Sequence, residues 1–133
     1  MDILCIENFK LAFDKLIKNN SYKAVEREII AYFLNKTADQ VSSGTLLNNN
    51  LKFPYLKKRL DGSGGFRVYF YILFIEDRLI LSYIHPKSGS EGKENLSLKE
   101  RTDLIKATIV AIKNNNLYKI SEVNSKLLFE RIL

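Results

Sequence analysis

The run Phe66–Ile75, FRVYFYILFI, leaves this chain the least freedom in how it can fold. Its residues are almost all aromatic or β-branched, which suits a pleated strand. Side chains alternate across a strand, so Phe66, Val68, Phe70, Ile72 and Phe74 share one face and Arg67, Tyr69 and Tyr71 the other. The first face has to be buried, and amphipathic helices are what the rest of the chain offers to cover it. The second face is expected to be solvated. An arginine followed by two tyrosines there has two readings. One is cross-strand stabilisation with a cation stacked on aromatic rings. The other is a phosphate clamp with aromatic platforms for bases.

Strands flank this run. Leu51–Leu60, if extended, carries Lys57 and Arg59 on one face and Lys58 and Leu60 on the other. These residues cannot bury both faces, so one must be solvated or bound to something. The stretch Asp61–Gly65, DGSGG, reads as a hairpin turn. It lacks the Gly-Lys-Ser/Thr ending of a phosphate-binding loop, and no helix follows it. After a turn at Glu76-Asp77, Arg78–Ile84 forms a third strand. Its apolar residues do not alternate cleanly, which suits a central position in the sheet. It runs out into His85, Pro86 and Lys87, and His85 is the only histidine.

Ahead of this meander, Ile3–Ile6 suits a buried strand. Two amphipathic helices follow, over about 8–18 and 22–34, with Asn8 and Ser21 as caps. Residues 35–50 read as a polar loop. After the meander, Ser97 and Glu100 form a capping box for a helix to about Lys113, with Leu104, Ile105, Thr108, Ile109 and Ile112 as its stripe. The tail 117–133 is expected to form a short last helix of open role. The expectation is thus an α+β fold. An antiparallel curved sheet of about four strands carries an N-terminal helix pair on one face, with a C-terminal helix.

At 133 residues, 46% of them hydrophobic, the chain suits a single domain spanning 1–133. No uninterrupted apolar run is long enough for a membrane span, and the N-terminus lacks the pattern of a signal peptide. One cysteine, Cys5, excludes an internal disulfide and a cysteine-based zinc site. A cytoplasmic protein is expected. The net charge is +6. More telling is its distribution: 52–67 holds five basic residues and one acidic residue, Asp61. A local excess of this kind is the footprint of a phosphate-binding surface, or of a solvated or acid-docking face.

With Gly64-Gly65-Phe66-Arg67-Val68, then Pro86-Lys87-Ser88, then Glu94-Asn95-Leu96-Ser97, in that order, the chain resembles the RelE/ParE superfamily of type II toxin–antitoxin toxins. It is most similar to the HigB/RelE branch. The similarity runs from Leu56 to about Lys106. It implies a metal-independent endoribonuclease without cofactors, which cuts mRNA, commonly on the ribosome, and so inhibits translation. It also implies a cognate antitoxin that forms a hetero-oligomer with the toxin. In such an enzyme the RNA 2′-hydroxyl attacks the adjacent phosphorus, leaving a 2′,3′-cyclic phosphate and a 5′-hydroxyl.

By the resemblance, Arg67 clamps the scissile phosphate, and Lys87 matches the motif lysine. Lys57 and Arg59, with Lys58 between them, match the basic strand in kind and would orient the RNA backbone or stabilise the transition state; Tyr69 and Tyr71 are the candidate RNA contacts of the aromatic-platform reading. His85, as an imidazole, is a candidate general acid or base, with Tyr83 an alternative proton donor or base-stacking residue. Two rival readings stand beside this one. One is a ParE-like toxin that poisons gyrase; the other is a catalytically silent RNA- or protein-binding module.

Overall fold

The computed structural model describes residues 1–61, 65–87 and 95–132 (at 21 the backbone alone). Strand β1 (Asp2–Cys5) leads into helices α1 (Glu7–Ile17) and α2 (Val25–Phe33). A two-residue strand β2 (Thr45–Leu46) precedes the meander of β3 (Tyr55–Leu60), β4 (Phe66–Leu73) and β5 (Arg78–Pro86). Helix α3 (Leu98–Lys113) and a hairpin of β6 (Tyr118–Val123) and β7 (Lys126–Arg131) complete the chain.

The sheet has seven strands in the order β2-β3-β4-β5-β1-β6-β7. It is mixed, because β1 runs parallel to β5 while its other neighbour, β6, is antiparallel. The expected sheet of about four antiparallel strands is therefore too small. The error lies mainly in the tail, expected as a helix. Asn124 and Ser125 both adopt positive φ, at 54° and 64°. Two such residues make the tight turn whose twist matches a hairpin. Val123 then pairs with Lys126, and the register continues to Tyr118 and Arg131. The other source is the polar segment 35–50, where Thr45 and Leu46 pair with Lys57 and Leu56.

The face of β4 carrying Phe66, Val68, Phe70 and Ile72 is packed by α1 and α2, through Phe9, Phe13, Val25, Ile29 and Phe33. Phe33 meets Phe70 edge-on at 5.1 Å between ring centres. Phe74, expected on this face, lies past the end of β4 and is partly exposed. Cys5 is buried in this core, and burial pushes its thiol far up. Helix α1 starts at Glu7 without a side-chain cap, so Asn8 is not its cap.

The opposite face, expected to be solvated, is covered by α3. Tyr55, Tyr69, Tyr71 and Ile80 pack there with Leu104 and Ala111. The capping box is present, with Ser97 Oγ accepting from Glu100 N at 3.1 Å and Ser97 N donating to Glu100 Oε1 at 2.9 Å. The buried stripe of α3 is Leu104, Thr108 and Ala111, while Ile109 is partly exposed. Thr108 is tied down by hydrogen bonds to Leu104 O (2.7 Å) and Ser82 Oγ (2.8 Å).

β5 is indeed central, and its irregular alternation has a cause. Tyr69 pairs with Tyr83 but Phe70 pairs with Leu81, so Ser82 is an extra residue, a β-bulge. At the sheet's far edge, Leu127 N donates to Glu26 Oε2 at 2.8 Å. An α2 carboxylate thus closes part of an edge that would otherwise offer backbone groups to another strand.

Candidate functional site

The register of β3, β4 and β5 builds two rows of side chains across the α3 face of the sheet. Lys57, Tyr69 and Tyr83 form one row; Arg59, Arg67 and His85 form the next. Directly opposed residues in such rows have Cβ atoms about 4.5–5.5 Å apart, so their side chains meet. The bulge at Ser82 is what puts His85 here. With unbroken alternation His85 would share the face of Leu79 and Leu81, which pack against α1 and α2.

An open cleft of about 410 Å³ lies at the β3 end of these rows, lined by Gly44, Thr45, Lys57, Lys58, Arg59, Arg67 and Asn95. Arg59 is exposed, Lys57 is half-buried and Arg67 is 4% exposed at the base. Lys57 Nζ donates to Asn95 Oδ1 at 2.6 Å, which joins β3 to the start of the α3 segment. The wall comes from the segment read as a plain loop. Gly44 has φ +137°, and a Cβ there would lie 2.8 Å from the Lys57 carbonyl oxygen. Only glycine lets β2 lie this close to β3. The lone glycine of 35–50 was the signal available in the sequence for this wall; Asn95 had none beyond its motif.

The expected site residues do not all converge. Lys57, Arg59 and Arg67 do. Lys58 borders the cleft, but its ammonium lies 5.0 Å over the Tyr32 ring and 3.3 Å from Ser43 Oγ. Tyr71 is buried against Tyr55, ring centres 4.6 Å apart, and is no stacking platform. Tyr69, 1% exposed, is not one either. The reason is α3, which covers the rings that an open sheet would have displayed. Arg67 likewise is not on a solvated face. Tyr83 is half-buried and borders a different cleft, with Asn8, Glu100 and Asp103. Lys87 is exposed, and its backbone N–H donates to Gly65 O at 3.0 Å, one pair beyond Phe66 and Pro86. Gly64, Ser88 and Glu94, which belong to the sequence motifs, lie outside the described residues.

Beneath the cleft, His85 (2% exposed) has Nε2 2.9 Å from Tyr69 Oη and Nδ1 2.9 Å from Pro86 O. Burial pushes the Tyr69 phenol up, against a smaller opposing pull from the Leu96 backbone and the Arg67 guanidinium. Burial also raises Tyr55 and Tyr71. Chemically the cleft presents fixed positive charge and a planar guanidinium, a combination suited to phosphate oxygens. Among the described residues, no three of His, Cys, Asp and Glu converge as metal ligands. Among the same residues, no helix is long and apolar enough to cross a membrane. Compared with known proteins, the chain matches no family model, and no curated protein matches it significantly.

Proposed function

We propose that this chain is a toxin of the RelE/ParE kind, a metal-independent endoribonuclease that cuts mRNA on the ribosome and is neutralised by an antitoxin. The observation that carries the reading is the cleft itself. Lys57, Arg59 and Arg67, from two adjacent strands, line one concave surface with Asn95. The order of strand, helix pair, meander and helix agrees with what the resemblance implies. In the reaction the 2′-oxygen bonds to phosphorus as the P–O5′ bond breaks. The 2′ proton leaves to solvent, and one returns from solvent to the 5′-oxygen. The charge that develops on the non-bridging oxygens is met by Arg67 and Arg59. Lys57 holds the neighbouring backbone. An acidic antitoxin segment would compete for the same cations.

A second reading has two observations in its favour. Both ring nitrogens of His85 are engaged, and Tyr83 borders another cleft, as in a module that binds RNA without cutting it. The test is cleavage of translated mRNA in EDTA, by wild type and by Arg67→Lys, which keeps the charge and loses the planar fork. Wild type should cut and leave 2′,3′-cyclic phosphate ends. The variant should be slower by about tenfold or more, the worth of a charge-assisted hydrogen bond. RNA bound but left intact by wild type supports the silent module. Gyrase-dependent linear plasmid with intact RNA supports the ParE-like reading.

A further inference from the structure

His85 is the residue that the sequence marks for proton transfer, and its surroundings argue for a different role. A carbonyl oxygen can only accept, so the 2.9 Å contact to Pro86 O requires a proton on Nδ1. In the neutral ring Nε2 is then a bare acceptor, and the Tyr69 hydroxyl, 2.9 Å away, donates to it. Both nitrogens are thus committed in one tautomer. The rings of Tyr69 and His85 lie nearly parallel, 28° apart with centres 5.5 Å apart. His85 is also the cross-strand partner of Arg67, and Tyr69 follows Arg67 on the same face. The charged and titratable groups around the pair are Lys57 and Arg59 on β3, Arg67 on β4 and Tyr83 on β5. Glu100 and Arg101 act on Tyr69 from the start of α3.

We infer that Tyr69 and His85 form a positioning pair, in which the tautomer-locked imidazole anchors the Tyr69 hydroxyl and the stacked rings set the direction of the Arg67 guanidinium into the cleft. His85 carries no proton in the reaction. This rests on the reading of the cleft as an RNA-cleaving site, and it deepens that reading by moving His85 from the chemistry to its support. Neither ring is among the residues that line the cleft.

Glutamine separates the two roles. Its amide oxygen can accept from Tyr69 and its N–H₂ can donate to Pro86, but it cannot titrate. His85→Gln should keep cleavage within about threefold of wild type, with the same pH profile. His85→Leu and Tyr69→Phe should each lower it about tenfold, the effect of losing one buried hydrogen bond. The double variant should lose little beyond His85→Leu, because the two residues act as a unit. If His85 were the acid or base, His85→Gln would cost about 10²–10⁴-fold and remove one limb of the pH profile, and that result overturns the pair. A second measurement does not depend on activity. With one histidine in the chain, long-range ¹H–¹⁵N NMR reads a single imidazole. The pair requires a protonated Nδ1 and a bare, hydrogen-bonded Nε2 in the neutral ring of wild type, and a shifted Nε2 resonance in Tyr69→Phe, where the donor to that nitrogen is lost. The opposite tautomer, or a mixture in wild type, refutes the pair whatever happens to RNA. Wild type that has the required tautomer but leaves RNA intact refutes the cleavage reading and not the pair.

Discussion

The two faces of β4 come from the same eight residues and behave as different materials. Toward α1 and α2, Phe66, Val68, Phe70 and Ile72 meet a nearly all-apolar layer. Toward α3, Arg67, Tyr69, Tyr71 and Leu73 meet a layer whose helix offers only Leu104, Thr108 and Ala111 as buried residues. The first face needs only shape and area. The second buries hydroxyls, an imidazole and a guanidinium, and each needs a partner or it costs stability. One side of the strand therefore secures the fold, and the other holds polar groups in fixed directions beside an open cleft.

The sharpest way to break this contrast is on the apolar face. Phe70→Ala empties a fully buried site against Phe33 and should cost about 3–5 kcal/mol in urea denaturation. Next comes the cleft wall. Gly44→Ala places a Cβ 2.8 Å from the Lys57 carbonyl at positive φ. It should cost roughly 1–3 kcal/mol and weaken RNA binding, because β2 must move off β3. On the α3 face, Thr108→Val keeps the volume but leaves Ser82 Oγ buried without its Thr108 partner, and should cost about 1–2 kcal/mol in the same assay.

The smallest effect is alkaline. Burial raises the phenols of Tyr55, Tyr69 and Tyr71 above their ordinary value of 10.0. A group whose folded pKa is raised gives stability that is complete below the unfolded value and is lost as pH rises toward the folded one. The urea midpoint should therefore fall above about pH 10, and Tyr71→Phe should flatten that fall. Cys5 adds the same sign from the other face, starting near 9.0. A midpoint that holds level above pH 10 would mean that α3 does not exclude water from these rings.

Much of this was legible in the sequence. Alternation in 66–73 put the right residues on the right faces, and Ser97 with Glu100 marked the start of α3. The burial of the polar face was not legible. Arg, Tyr, Tyr reads as solvated, yet tyrosine rings supply apolar area, and their hydroxyls can find buried partners, as Tyr69 finds His85. The stripe on α3 was hard to place because Thr108 and Ala111 carry little hydrophobic signal. The bulge at Ser82 has no one-residue signature, although the broken alternation of 79–84 was its trace. Without it His85 could not be assigned a face. The β6–β7 hairpin was hidden because Asn-Ser is a weaker turn signal than Asn-Gly.

In the function we propose, the α3 face of the sheet holds RNA through Lys57 and Arg59, while Lys58 between them faces Tyr32. The most direct test is single-stranded RNA binding against salt, comparing Lys57→Ala/Arg59→Ala with Lys58→Ala. The double variant should bind more weakly, with a log Kd against log salt slope shallower by roughly 1.4, two phosphate contacts at about 0.7 each. Lys58→Ala should match wild type. Equal losses from all three lysine and arginine positions, or none from Lys57 and Arg59, would contradict the account.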